Sequence, residues 1–122
     1  MSRAILLVDH GSRLPEAHAY LERLGEEIRE RSRGTAVYLA HLELAPPSID
    51  DAIDASVDAG VRDLVVHPLF LIPGRHARQD VPSAVERAAS RHPGLRVRVT
   101  EPLGQAPELA ELILRITGSL TS

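Results

Sequence analysis

The sequence predicts an α/β fold, a four-stranded parallel sheet with helices on both faces, and three observations carry that prediction. Short apolar runs rich in branched residues alternate with segments whose apolar positions recur every three or four residues, which is the β-α-β-α-β-α-β-α order of a parallel sheet. Turn-forming clusters of Gly, Pro, Asp and Ser divide the segments, and no Gly- or Ser-rich linker splits the chain. The polar residues of most chemical interest stand just after the apolar runs. In open parallel sheets that rim, beyond the carboxyl ends of the strands, is where ligands bind.

The first strand is Ala4 to Val8, a continuous apolar run suited to burial on both faces, and it ends in Asp9-His10-Gly11-Ser12. From Pro15 to Arg31, Ala17, Leu21, Leu24 and Ile28 form one apolar face of a helix, with Pro15 in its first turn and Gly34 closing it. The second strand runs from Ala36 to Leu44 and stops at Pro46-Pro47. Ser48 caps a second helix, with Asp51 completing an imperfect capping box and Gly60 ending it. Arg62 to Leu69 is the third strand, followed by a non-periodic loop from Phe70 to Arg78. A third helix spans about Asp80 to Arg91. The fourth strand, Leu95 to Thr100, leads through Pro102-Leu103-Gly104 to a last helix from Ala106 to Thr117.

With 122 residues the chain is expected to be one domain, 1–122, burying about two-thirds of its extended surface without staples. Fourteen basic against 17 acidic residues leave a net charge of −3, and the only aromatic rings of Phe or Tyr are Tyr20, Tyr38 and Phe70. That balance argues against a nucleic-acid partner, which would want cationic surface and stacking platforms. The absence of cysteine excludes disulfides, thiolate metal sites and thiol catalysis. No apolar run is long enough to span a bilayer and no signal peptide is apparent, so the expected location is cytoplasmic, with no membrane partner.

The rim offers two imidazoles and a carboxylate from three strand ends: His10, Glu43 and His76. Imidazole suits cobalt, nickel, iron or zinc, and a nearby carboxylate can orient a histidine or accept a proton. Each residue also has a plainer reading. His10 can be a turn residue, His76 a surface residue between Arg75 and Arg78, and Glu43 a strand-end carboxylate that must find a partner or solvent. His41 precedes Glu43 by two, so continued strand alternation would put both on one face, as a third ligand, a supporting partner or a packed residue. His67 beside Pro68 reads as structural, and His18 and His92 as solvated. Asp9 has two readings, as a partner for His10 or as a residue turned to the opposite side. Ser12, Arg13, Arg75 and Arg78 are candidate contacts for an anionic ligand.

Four stretches in register resemble the small CbiX-type sirohydrochlorin chelatases of the class II chelatase group. They are Leu-Leu-Val-Asp-His-Gly-Ser-Arg (Leu6 to Arg13), Leu-Glu-Leu-Ala-Pro-Pro-Ser-Ile (Leu42 to Ile49), the segment Val65 to Pro82 containing His-Pro-Leu-Phe-Leu-Ile-Pro-Gly-Arg-His, and Glu-Pro-Leu-Gly (Glu101 to Gly104). The resemblance implies a chelatase-like half-domain of flavodoxin-like, three-layer architecture. It implies a lyase that inserts a divalent metal, Co2+ first and Fe2+ or Ni2+ as alternatives, into a sirohydrochlorin-like tetrapyrrole. The metal is then a substrate, and no tightly bound cofactor is expected. His10 and His76 match the metal-site histidines, and Glu43 matches the acidic residue of the cleft; all three are the expected catalytic residues. The carboxylates of such a substrate would give Arg13, Arg75 and Arg78 a purpose. Two departures stand out, since the pattern has Gly at the place of Asp9 and a bulky apolar residue at that of His41; both changes add polar groups near the expected metal site. A flat, wide macrocycle against one open rim implies a homodimer that sets two rims face to face.

Two rival readings differ in class. A histidine phosphatase also places His-Gly after its first strand, but it expects an arginine before that histidine, where Asp9 would repel phosphate. A non-catalytic metal- or tetrapyrrole-binding protein would keep the site and turn nothing over.

Overall fold

The four apolar runs form one parallel sheet in the order β2-β1-β3-β4, built from β1 (Arg3–Asp9), β2 (Ala36–His41), β3 (Asp63–Pro68) and β4 (Arg96–Val99). The computed structural model describes residues 3–118. Between the strands lie α1 (Pro15–Arg31), α2 (Ile49–Asp58) and α3 (Val81–Ala89), and α4 (Glu108–Ile116) follows β4. The sequence expectations for all eight elements hold to within a few residues at their ends.

The chain reverses direction across the sheet between β1 and β3: α1 leads outward to β2, whereas α2 returns past β1 to β3. Such a switch point opens a crevice above the carboxyl ends of the two central strands. His10 leaves β1 there, and the loop that carries His76 leaves β3 beside it.

Alternation along β1 divides the packing. Ala4, Leu6 and Val8 face α2 and α3 and join Ile53, Leu64, Val66, Val81 and Val85 in the buried core. Each fully buried Leu, Ile or Val of this set contributes about 1.5–3 kcal/mol of burial. The other face is covered by α1, which buries Leu21. Arg91 and His92, just beyond α3, tie back to α2: Arg91 reaches Asp50 at 3.1 Å and Asp54 at 2.7 Å, and His92 Nε2 meets Asp54 Oδ1 at 2.7 Å. The hydrogen bonds from His92 and then Arg91 hold the Asp54 carboxyl below its ordinary range. His92 is therefore a connecting residue and not the solvated one the sequence suggested.

Two local features depart from the sequence reading, and a third adds to it. β2 ends at His41 and not at Leu44, because Leu44 adopts a left-handed backbone (φ 76°) and turns the chain out of the sheet. The segment Phe70 to Arg78 is not wholly irregular: His76–Asp80 forms a single π-helical turn that runs directly into α3. Pro82 has no N–H to offer the preceding turn, and the Val81 N–H instead reaches back to His76 C=O. Lastly, α4 forms as expected but buries none of its residues, leaving Leu112 44%, Ile113 53% and Ile116 73% exposed.

Candidate metal centre

Glu43 reaches the rim because the segment after β2 is laced to the end of β1. The Leu42 N–H donates to Asp9 C=O at 2.9 Å, and the Glu43 N–H to His10 C=O at 3.1 Å. Gly11 makes this approach possible. Its φ is +106°, and a Cβ there would lie 1.8 Å from the Glu43 carbonyl oxygen. A second close approach steadies the loop after β3: the Gly104 N–H donates to Phe70 C=O at 2.9 Å, and a Cβ on Gly104 would fall 1.7 Å from Leu71 C=O. The Pro-Leu-Gly turn after β4 thus acts as a rest for the loop that presents His76.

Side chains complete the arrangement. His10 Nε2 pairs with Glu43 Oε2 at 2.9 Å, and the His10 ring stands edge-on to His76 with centroids 4.9 Å apart. Phe70 closes the other side of His10, its ring centroid at 6.4 Å. Ligand atoms of His10, Glu43 and His76 all lie within 4.8 Å of one another. A divalent ion bonded at about 2.0–2.2 Å to nitrogen and oxygen needs only small side-chain rotations to be held by three donors so spaced. The side chains are half open, at 42%, 50% and 51% for His10, Glu43 and His76, so further coordination positions face solvent. Three protein donors with open positions leave room for water or a further ligand on an ion held there.

His76 is oriented by a residue that the sequence reading placed only at the start of the third helix. Asp80, one turn along, lies 2.8 Å from His76 Nδ1, which leaves Nε2 available to a ligand. The His-x-x-x-Asp spacing was the available signal. A groove of about 430 Å³ between α2 and α3 is lined by Glu43 and His76 of the triad together with Ser48, Ser83 and Arg87.

The remaining candidates are placed elsewhere. Asp9 does not hold His10: its Oδ1 lies 2.6 Å from Nδ1 of His41, whose Nε2 is 2.9 Å from Nδ1 of His18. This chain lies on the α1 side of the sheet. His41 is 2% exposed and stands apart from Glu43, because the strand ends between them. His18 is bonded rather than simply solvated. His67 is structural as expected, its Nδ1 2.8 Å from Thr100 Oγ1, and burial lowers its pKa. Ser12 caps locally, accepting from the Leu14 N–H at 3.0 Å, and with Arg13 it lines a separate hollow beside His18 and Pro46. Arg78 donates from Nε to Pro73 C=O at 3.1 Å and lines another hollow toward Thr100 and Pro102. Arg75 precedes the π-helical turn and is exposed.

The CbiX family model matches residues 4–118. The chain belongs to the CbiX family. Among its relatives, a chloroplastic sirohydrochlorin ferrochelatase of Arabidopsis thaliana is 40% identical over 109 residues, 89% of this chain and 48% of that protein. A sirohydrochlorin cobaltochelatase of Methanopyrus kandleri is 35% identical over 79 residues, 65% of this chain and 55% of that protein. The crystal structure of a CbiX protein from Marinobacter aquaeolei VT8, described as belonging to cobalamin biosynthesis, superposes with a TM-score of 0.81 at 35% identity, covering 95% of this chain and 94% of that one. The chain spans about half the length of the first two of these, and nearly the whole of the third.

Proposed function

We propose that this chain inserts a divalent metal into sirohydrochlorin, with Co2+ the favoured metal and Fe2+ or Ni2+ the alternatives. The convergence of His10, Glu43 and His76 at the sheet's switch point is the observation that supports it most. The family's relatives include both cobalt- and iron-inserting proteins by name, and an imidazole–carboxylate set suits each of these ions.

In this reading His10 and His76 take the ion from water through ring nitrogens, and the open positions face the incoming macrocycle. Insertion forms four metal–nitrogen bonds and releases two pyrrole protons. Glu43, 2.9 Å from His10 and half open to water, accepts these protons in turn and passes them to solvent. The metal is a substrate, and no tightly bound cofactor takes part.

The active unit in this proposal is a cytoplasmic homodimer of single chelatase-like domains. The apolar side chains of α4, exposed at Leu112, Ile113, Leu114 and Ile116, supply surface for a second copy to cover. Purified protein mixed with sirohydrochlorin and Co2+, Fe2+ or Ni2+ separately, followed by macrocycle absorption, tests the activity. Catalysed metallation that falls at least 100-fold in folded His10→Ala and His76→Ala variants is the expected result. Stoichiometric metal binding without any acceleration would replace the proposal with a binding protein.

A further inference from the structure

The groove that continues from the metal triad contains one arginine, and it is not among those the sequence singled out. Arg87 lines it together with Glu43, His76, Ser48 and Ser83, whereas Arg13 and Arg78 line other hollows. Its acidic neighbours are already engaged. Asp50 is held by Arg91 at 3.1 Å, Asp80 lies 2.8 Å from His76, and Glu43 lies 2.9 Å from His10. Among the described residues Arg87 itself makes no ion pair, so the groove has one uncommitted cation.

Two further features suit an anion there. Ser48 Oγ accepts from the Asp51 N–H at 3.1 Å, which leaves the N–H groups of Ile49 and Asp50, in the first turn of α2, without intrahelical acceptors beside the same groove. Ser83 adds a hydroxyl donor. The spacing also fits. His76, Asp80, Ser83 and Arg87 recur at three- and four-residue intervals along one helical path, so they share a face. His76 and Arg87 are roughly 16 Å apart along the axis by helical rise, and Arg87 leans back toward His76 because helical side chains tilt to the N-terminus.

We infer that Arg87, with Ser83 and the first turn of α2, binds a carboxylate arm of the macrocycle and so sets its orientation over the triad. The inference rests on the proposed function, since it names the part of that substrate that enters the groove. Guanidinium offers a carboxylate two parallel hydrogen bonds, and lysine offers only a point charge. Arg87 is a binding residue in this arrangement and takes no part in the proton or metal transfer.

Arg87→Ala and Arg87→Lys are compared with wild type in three measurements: quenching of metal-free sirohydrochlorin fluorescence on binding, insertion kinetics, and Co2+ binding by titration calorimetry. Arg87→Ala should weaken macrocycle binding and raise its KM about tenfold, Arg87→Lys should recover part of that, and Co2+ affinity should stay within twofold. A macrocycle whose carboxylates have been converted to amides should bind wild type and Arg87→Ala alike. Unchanged sirohydrochlorin affinity in a folded Arg87→Ala, beside an active wild type, overturns the arm site alone. A wild type that neither binds nor metallates sirohydrochlorin overturns the proposed function, and this inference with it.

Discussion

Replacing Gly11 by alanine separates the geometry of the rim from its chemistry, because Gly11 contributes no functional group. The new Cβ would sit 1.8 Å from the Glu43 carbonyl oxygen, where ordinary contact begins near 3.4 Å. The carbonyl must retreat by more than 1 Å, and it takes with it the Glu43 N–H bond to His10 C=O, now 3.1 Å long. A φ of +106° on an L-residue adds strain of about 1–3 kcal/mol. Loss of one backbone hydrogen bond adds about 0.5–1.5 kcal/mol. The expected destabilisation is therefore about 2–4 kcal/mol, read as a melting temperature lower by about 10 °C for a domain of this size. Since Glu43 moves relative to His10, Co2+ affinity should fall as well, by about 10–100-fold, measured by titration calorimetry at a temperature where the variant is folded. Wild-type melting and wild-type affinity together would refute the packing argument. Lower stability with unchanged Co2+ affinity would refute the idea that this contact positions Glu43.

Three other outcomes are expected. Asp80→Ala, at a side chain 40% exposed, should leave the fold intact yet weaken Co2+ binding about 10–100-fold by freeing the His76 ring; equal affinities in calorimetry would remove Asp80 from the site. Burial holds the His67 pKa below its usual value of about 6.5, so the unfolded chain takes up a proton more readily than the folded one. Stability present above about pH 6.5 should decline as pH falls toward the lowered folded value, and His67→Gln should flatten the dependence of the urea midpoint on pH; an unaltered slope would contradict this. His41→Leu alone should cost about 2–3 kcal/mol by stranding the Asp9 carboxylate, whereas Asp9→Gly combined with His41→Leu should cost less than the two single changes summed; additive melting data would count against the pairing.

The parallel sheet was legible because its signals are local. Ala4 to Val8 and Leu64-Val65-Val66 are apolar at every position and rich in branched residues, and Gly, Pro and Ser punctuate each boundary. The end of β2 was not, since Leu42 and Leu44 prolong an apolar pattern and only the left-handed turn at Leu44 shows that pairing has stopped. That single boundary decides the site, because it sends His41 and Glu43 to different sides. His10, Glu43 and His76 could be named from their positions after strands. Their pairing with one another depends on Gly11 and Gly104 allowing backbones within van der Waals distance, a tertiary fact with no periodicity of its own. Asp80 carried a readable spacing from His76. Arg87 shares that helical spacing, but nothing in a helix of mixed charge marks that this face borders a groove. The apolar face of α4 could be read, but not the surface that would meet it.

The two departures from the family pattern, Asp9 and His41, bear on metal choice only if they reach the metal. β1 alternates through Val8, which is in the core against α2 and α3, to Asp9, which faces α1. The Asp9–His41–His18 chain consumes the ring nitrogens of His41 on both sides, Nδ1 with Asp9 and Nε2 with His18. His10, Glu43 and His76 gather instead at the head of the groove between α2 and α3. A buried imidazole with both nitrogens engaged has no lone pair to offer an ion, so these residues add a polar clasp between β1, β2 and α1 and leave the proposed donor set as two imidazoles and one carboxylate. The order in which Co2+, Fe2+ and Ni2+ are used should then be the same in the Asp9→Gly, His41→Leu double variant as in wild type. An altered order would mean that the clasp governs the metal through the strand ends it joins.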